Sequence, residues 1–137
     1  GYDNFKNKQL LSLIKICRIL IKKYKIKKKN VIGHSDIAPL RKIDPGEKFP
    51  WKEMAGKKIG IWHNCKKKIL KKLRKKNVSK MEKIKFNKYL NNIGYCYLSF
   101  KGNKVVKAFQ RHFRKELIDG TIDQECLFIA KNLSKKM

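Results

Sequence analysis

The segment 35–51 constrains the fold of this chain most, because all three prolines of the sequence fall within it. Pro39, Pro45 and Pro50 are accompanied there by Gly46. Proline fixes φ and lacks a backbone N–H, so three of them this close together exclude a long helix or an inner strand. The segment therefore predicts an irregular loop.

The residues before the loop predict one helix and one strand. Apolar side chains recur at helical spacing between residues 5 and 24, at Leu10, Leu13, Ile14, Cys17, Leu20, Ile21 and Tyr24. This pattern is typical of an amphipathic helix. The β-branched pair Val31 and Ile32 then predicts a short buried strand, and Gly33 allows another part of the backbone to approach closely.

The residues after the loop predict short helices and a linker. A short helical turn is expected around Trp51. Residues 63–83 are rich in lysine, which favours a solvated linker, with a basic arm that binds anionic polymers as the alternative. Three helical patterns follow within 84–133, with Gly94 placed to end the first and Asp123 placed to cap the third. They predict a small bundle that leans on its neighbour, with a core of Leu90, Phe109, Phe113, Ile118, Ile122, Phe128 and Leu133.

The positive charge narrows the possible partners less than its size suggests. Lys and Arg number 37 against 10 Asp and Glu, which gives a formal net charge of +27. Only five of the basic residues are Arg, the residue that phosphate and base recognition favours, so no specific nucleic-acid partner is expected. The four cysteines are too widely spaced for a four-cysteine zinc site. No run of residues is long and apolar enough for a transmembrane segment.

The loop carries the side chains best suited to catalytic chemistry. His34 follows the predicted strand, and Asp44 comes ten residues later. Imidazole nitrogen and carboxylate oxygen are both good zinc ligands, and the ammonium group of nearby Lys42 would stabilise a developing oxyanion. From residue types alone, a structural or simply exposed role for His34 and Asp44 stays open.

The string GHSDIAPLRKIDPGEKFPW, residues 33–51, closely resembles a loop of the zinc-dependent N-acetylmuramoyl-L-alanine amidases, the amidase type 2 family. Members of that family typically read GHSDIAPGRKxDPGxxFPW, so this chain departs from the pattern at Leu40, where glycine is usual. GKKIGIW is similar to the end of the family's domain, and AFQRHFRKELIDGTIDQEC is similar to a three-helix peptidoglycan-binding domain. The resemblance covers roughly residues 1–62 and 84–134.

This resemblance implies an α+β fold class. It implies the C-terminal portion of an amidase type 2 α/β domain (helix, strand and zinc-site loop) plus a small all-α three-helix peptidoglycan-binding domain. The implied divisions are 1–62 for the amidase portion, 63–83 for a Lys-rich linker and 84–137 for the peptidoglycan-binding-like domain.

The resemblance also implies roles for individual residues. His34 and Asp44 would be zinc ligands, with Zn²⁺ as cofactor, and Lys42 the catalytic residue that stabilises the tetrahedral intermediate. Arg41 would bind a substrate carboxylate, with a structural role equally open. Asp36 is expected to accept hydrogen bonds within the loop rather than to act in catalysis.

Two further residues of the family's site, a first zinc histidine and a catalytic glutamate, have no counterpart in this sequence. Catalytic zinc sites normally have three protein ligands. His63, Glu47 and Glu53 are not expected to replace the absent groups, and His112 is expected at the surface or in helix packing. An N-terminal amidase fragment or an oligomer is therefore an expected partner, and residues 1–62 are expected to be unstable alone.

The leading hypothesis for function is hydrolysis of the amide bond between N-acetylmuramic acid and L-alanine in bacterial peptidoglycan or muropeptides. The chain is then expected to be an incomplete part of the enzyme. The alternative is a noncatalytic peptidoglycan-binding remnant, and the third hypothesis is a basic nucleic-acid-binding protein. A wall substrate favours the cell envelope or periplasm, with the cytoplasm as the alternative location.

Overall fold

The structure, a computed structural model, describes residues 3–96 and 102–137. These residues form seven α-helices and one short 3₁₀ turn. The helices are α1 (Asn7–Tyr24), α2 (His34–Ile37), α3 (Trp51–Gly56), α4 (Lys67–Leu73), α5 (Lys80–Ile93), α6 (Gly102–Phe113) and α7 (Gln124–Ser134), and the 3₁₀ turn is Lys28–Asn30. None of these helices combines the length and the apolar character that crossing a membrane requires.

The predicted α+β fold class is wrong for the described part of the chain, which contains helices and no strand. The segment predicted as a strand is extended: Val31 has φ −92° and ψ 102°, and Gly33 has φ −85° and ψ 159°. β-Branched residues favour this local conformation, but a strand also needs a second extended segment with which to pair. Within 3–96 and 102–137 no such segment pairs with it, and Ile32 is 42% exposed.

Helix α1 confirms the first helical pattern, although little of its apolar stripe is buried. The helix ends where Lys25 adopts the left-handed conformation, with φ 52°. Ile14 is the buried residue of α1, whereas Leu20 and Tyr24 are 42% and 61% exposed. Ile14 belongs to a small core cluster with Phe49, Trp51, Met54 and Ile59. This core joins α1 to the loop and to α3, the helix expected around Trp51.

Part of the lysine-rich segment 63–83 folds against the C-terminal helices. Helix α4 buries Leu70 in the main core, the larger hydrophobic cluster, to which α5, α6 and α7 also contribute. The lysines of α4 remain exposed. Just after the helix, the Arg74 guanidinium donates two hydrogen bonds to the Glu125 carboxylate, at 2.7 and 2.8 Å. The division of the chain into domains stays a prediction.

Helices α5, α6 and α7 confirm the three helical patterns, and two of their ends lie where the sequence predicts. Gly94, with φ 106°, ends α5, and the Asp123 carboxylate accepts from the Cys126 amide at 2.9 Å to cap α7. The second pattern extended to residue 117, but α6 ends at Phe113. The next residue, Arg114, turns inward because its guanidinium donates to Asp123 at 2.7 Å.

The predicted core is confirmed at Leu90, Phe109, Phe113 and Leu133, which are all buried. The prediction is wrong for Phe128, which is 38% exposed. The buried face of α7 is instead formed by residues at i, i+3, i+4 and i+7, namely Cys126, Ile129, Ala130 and Leu133. Since Phe128 lies off that stripe, it points towards solvent.

Candidate active site

The structure brings together the two side chains that the sequence indicated as a metal-binding pair. His34 is the first residue of α2, and Asp44 lies in the loop that follows this helix. The His34 Nδ1 and Asp44 Oδ2 atoms are 3.1 Å apart. Both side chains are open to solvent, with 44% and 59% of their surface exposed. An ion or a substrate therefore has direct access to both.

The loop has two limbs, residues 33–36 and residues 44–51, and contacts between them hold this pair in place. The Ser35 amide donates to the Asp44 carbonyl at 2.9 Å, so the neighbours of the two side chains are tied together. At Gly33 a Cβ atom would lie 2.9 Å from Cδ of Pro45 and 3.0 Å from Cζ2 of Trp51. Glycine is needed at this position because no side chain fits between the limbs.

The two basic residues expected to act on the substrate follow α2 directly. The amides of Arg41 and Lys42 both donate to the Ala38 carbonyl, at 3.1 and 2.9 Å. The Arg41 side chain is exposed and Lys42 is half-buried. Neither side chain forms a salt bridge with any residue in 3–96 or 102–137, so both cations are available to an anionic ligand.

Asp36 accepts hydrogen bonds within the loop, and it also accepts two from outside it. Its Oδ2 atom accepts from the Gly33 amide at 2.8 Å and from His112 Nδ1 at 2.7 Å. Its Oδ1 atom accepts from the Tyr95 hydroxyl at 2.5 Å. Burial raises the pKa of Tyr95 well above its usual value, and the Asp36 charge adds to the shift, so the hydroxyl keeps its proton and donates.

His112 packs in the interior, one of the two positions that the sequence left open for it. It is 2% exposed, and its ring stacks between Trp51 and Phe113 with both centroids 3.9 Å away. Sequence reasoning missed its bond to Asp36. The available signal was its spacing: His112 follows the buried Phe109 by three residues, on the inward face of α6.

The other candidates have different surroundings. His63 is buried, accepts from the Cys65 amide at Nδ1, and therefore donates from Nε2 to the Phe113 carbonyl at 3.3 Å. Burial lowers the pKa of His63, which favours the neutral ring. Glu47 and Glu53 are exposed.

A family model described as N-acetylmuramoyl-L-alanine amidase matches residues 1–47, a range that includes both His34 and Asp44. Over these residues the chain resembles this amidase family. The match ends inside the loop.

One curated relative extends the likeness to nearly the whole chain, and another matches a third of it. The N-acetylmuramoyl-L-alanine amidase AmiD of Escherichia coli (strain K12) is 33% identical over 136 residues, which are 96% of this chain and 49% of AmiD. The 1,6-anhydro-N-acetylmuramyl-L-alanine amidase AmpD of Haemophilus influenzae is 46% identical over 48 residues, 34% of this chain and 26% of AmpD. The chain thus spans about half the length of AmiD.

Solved amidase structures resemble the chain closely. Escherichia coli AmiD, in complex with its substrate anhydro-N-acetylmuramic acid-L-Ala-D-γ-Glu-L-Lys, superposes with a TM-score of 0.82 at 33% identity, over 97% of this chain and 53% of AmiD. Pseudomonas aeruginosa AmpDH3, in complex with anhydromuramic pentapeptide, gives 0.81 at 28% identity, over 99% of this chain and 55% of AmpDH3. The arrangement of helices found here therefore occurs within larger amidases.

The donor pair of this chain fits two positions of a zinc site. Two ligand atoms about 2.0–2.1 Å from a tetrahedral zinc lie about 3.3 Å from each other. The 3.1 Å between His34 Nδ1 and Asp44 Oδ2 matches that spacing. In the described ranges, 3–96 and 102–137, no third His, Cys, Asp or Glu completes a group that could hold a metal.

Proposed function

We propose that this chain is part of a zinc hydrolase that cleaves the amide bond between N-acetylmuramic acid and L-alanine. The observation that carries the proposal is the His34–Asp44 pair, 3.1 Å apart and open to solvent, in a loop whose sequence the amidase family model covers up to residue 47. The named amidase relatives support the same reaction class.

The zinc ion would be held by His34 Nδ1 and Asp44 Oδ2, together with a ligand from outside the described residues. A zinc ion bound there would polarise the scissile carbonyl and lower the pKa of a water molecule. The protein's own contribution is to keep both donor atoms at one exposed point, and the Ser35–Asp44 backbone hydrogen bond supplies that geometry.

Lys42 and Arg41 would act on the substrate. Lys42 stands two residues before Asp44, and its ammonium group would donate to the oxyanion of the tetrahedral intermediate. Arg41 would pair with a carboxylate of the stem peptide, since the guanidinium fork matches carboxylate geometry. A purely structural role for Arg41 predicts no change in substrate affinity when it is replaced.

The ligand would be peptidoglycan or a muropeptide released from it. The AmiD and AmpDH3 complexes contain anhydromuramic peptides, which supports this chemical class. The stem peptide carries carboxylates, and the net charge of +27 would attract them over long range. Residues 84–137 would contribute wall binding beside the amidase portion 1–62, and the proposed location is the cell envelope or periplasm, with the cytoplasm as the alternative.

The test is muropeptide cleavage by the purified chain with Zn²⁺, read by mass spectrometry. We expect release of the free stem peptide when the chain is combined with the expected N-terminal amidase fragment, which would supply the further zinc ligand, loss of that release in His34→Ala and in Asp44→Asn, and a reduced rate in Lys42→Ala. The matched control is Lys48→Ala, which removes an exposed lysine from the same loop. Release that persists in His34→Ala would refute the assignment of this site.

A second candidate, binding of wall fragments without hydrolysis, is favoured by the donor count. Two donors among residues 3–96 and 102–137 are fewer than the three that catalytic zinc normally has. This candidate predicts that the chain sediments with purified peptidoglycan, releases no stem peptide, and binds equally well after His34→Ala. Loss of binding in that variant would count against it.

A further inference from the structure

The Asp36 carboxylate joins the proposed zinc loop to the C-terminal helices at a buried point. Asp36 is 6% exposed and His112 is 2% exposed, so their 2.7 Å contact excludes water. Asp36 belongs to α2 and His112 to α6, 76 positions further along the chain. Tyr95, just after α5, completes the set by donating to the other carboxylate oxygen.

The same carboxylate also fixes the start of the helix that bears His34. Its Oδ2 atom accepts from the Gly33 amide at 2.8 Å, and the Asp36 amide donates back to the Gly33 carbonyl at 3.1 Å. His34 lies between these two residues. Any displacement of the Asp36 side chain would therefore move the backbone that carries the imidazole.

The His112 donor is held by packing on both faces of its ring. The His112 ring is clamped between Trp51 and Phe113, with interplanar angles of 18° and 9°. Because Nδ1 faces a carboxylate oxygen, it must carry the ring proton. Because packing sets the orientation of the His112 ring, its Nδ1–H group points at the Asp36 carboxylate.

Two further contacts run from the helices to the loop. The Lys104 ammonium of α6 donates to the Leu40 carbonyl at 3.1 Å, and Lys115 donates to the Phe49 carbonyl at 3.4 Å. Both are charge-assisted bonds to backbone oxygens, one before and one after Asp44 in the sequence. The C-terminal part of the chain thus contacts the loop on both sides of Asp44.

We propose that His112 and Tyr95 are positioning residues for the proposed zinc loop, acting through Asp36, so that the C-terminal helices are a structural part of the active site. Their significance for catalysis rests on the proposed function. His112 and Tyr95 act by donating hydrogen bonds to the buried Asp36 carboxylate. When both donors are present, the carboxylate holds the first turn of α2. When either donor is removed, the carboxylate lacks one hydrogen-bond partner.

The experiment is amide hydrogen exchange, measured by NMR on the full chain without zinc or substrate. The reporters are the amides of Ser35, Asp36 and Ala38, whose hydrogen bonds define α2 and its link to Asp44. In Tyr95→Phe, which removes one hydroxyl, we expect their exchange to accelerate about 10- to 150-fold, the range for one lost donor to a buried charge. Amides of α7 should be unchanged.

Tyr89→Phe is the matched control, since it removes the same group from α5, at a half-buried ring packed against the main core. It should leave the exchange of the loop amides unchanged. Loop exchange in Tyr95→Phe that equals wild type would overturn the proposal. So would faster exchange that spreads uniformly over α5, α6 and α7, because these residues would then hold the helical core rather than the loop.

Two variants of His112 separate positioning from packing. His112→Asn keeps an N–H donor near the Nδ1 position but loses the stacked ring, whereas His112→Phe keeps the ring and loses the donor. If His112 is a positioning residue, the loop amides should be protected from exchange nearly as well in the Asn variant as in wild type, and less well in the Phe variant. The reverse order would assign His112 to packing and overturn the proposal. Because no cleavage is measured, failure of the amidase assignment would leave this result intact.

Discussion

Replacing Gly33 by alanine tests whether contact between the limbs of the loop sets the geometry of the candidate site. The new Cβ would lie 2.9 Å from Pro45 Cδ, 3.0 Å from Trp51 Cζ2 and 3.3 Å from Asp36 Oδ2. A proline ring and a buried indole cannot rotate away. The limbs must therefore separate, and the Ser35–Asp44 hydrogen bond should lengthen with them.

The expected cost follows from overpacking alone. The φ of Gly33 is −85°, which any residue adopts, so no backbone strain adds to it. Inserting a methyl group into such a tight contact costs about 1–3 kcal/mol. For a chain of this size each kcal/mol lowers the melting temperature by about 3–5 °C, so we expect a decrease of about 3–15 °C.

The assay is thermal unfolding followed by circular dichroism, with Gly56→Ala as the matched control. Gly56 is the last residue of α3, and a Cβ there meets no atom within 4 Å. Its replacement should leave stability unchanged or raise it by up to about 1 kcal/mol. A Gly33→Ala variant that melts with wild type would refute the steric reasoning. If zinc binding is weaker in Gly33→Ala but not in Gly56→Ala, the contact between the limbs of the loop sets the geometry of the His34–Asp44 pair.

Three further predictions concern the buried charges, the pH dependence and the core. Arg114→Leu should lower the free energy of unfolding by about 3–5 kcal/mol in urea titrations, because it leaves buried carboxylates unpaired. Arg74→Leu should cost clearly less, since Arg74 is partly exposed and Glu125 keeps Arg114; equal costs would contradict this. Burial lowers the pKa of His63 below its unfolded value, so its contribution to stability is present at neutral pH and is lost as pH falls below about 6.5. In His63→Gln the urea midpoint should therefore change less with pH between about pH 7 and 5 than it does in wild type. Phe109→Ala should cost about 3–5 kcal/mol and Phe128→Ala under about 1 kcal/mol, measured the same way, and similar costs would place Phe128 in the core.

Much of the local structure could be predicted because its causes are local. Gly94 relieves the steric cost of the left-handed conformation that ends α5. Asp123 caps α7 by a short-range hydrogen bond. Each signal acts within a few residues, so it can be recognised in one sequence.

The candidate site could be predicted only in part. His34 and Asp44 were indicated as a pair, and the structure places their donor atoms 3.1 Å apart; their role as zinc ligands stays a prediction. His112 could be expected to pack, but its hydrogen bond to Asp36 could not be expected. No local pattern reports which side chain from a distant helix meets a buried carboxylate.

The sequence by itself determined that Gly94 ends α5, that Asp123 caps α7, and that the proline-containing loop carries His34 and Asp44. The tertiary structure decided three other matters. In the described residues Val31 and Ile32 form no strand, and Phe128 faces solvent. The Asp36 carboxylate accepts hydrogen bonds from His112 of α6 and from Tyr95. The physical reason is the same for all three. Pairing of extended segments, burial of one helix face and satisfaction of a buried charge each depend on groups far apart in the chain, and only packing brings those groups together.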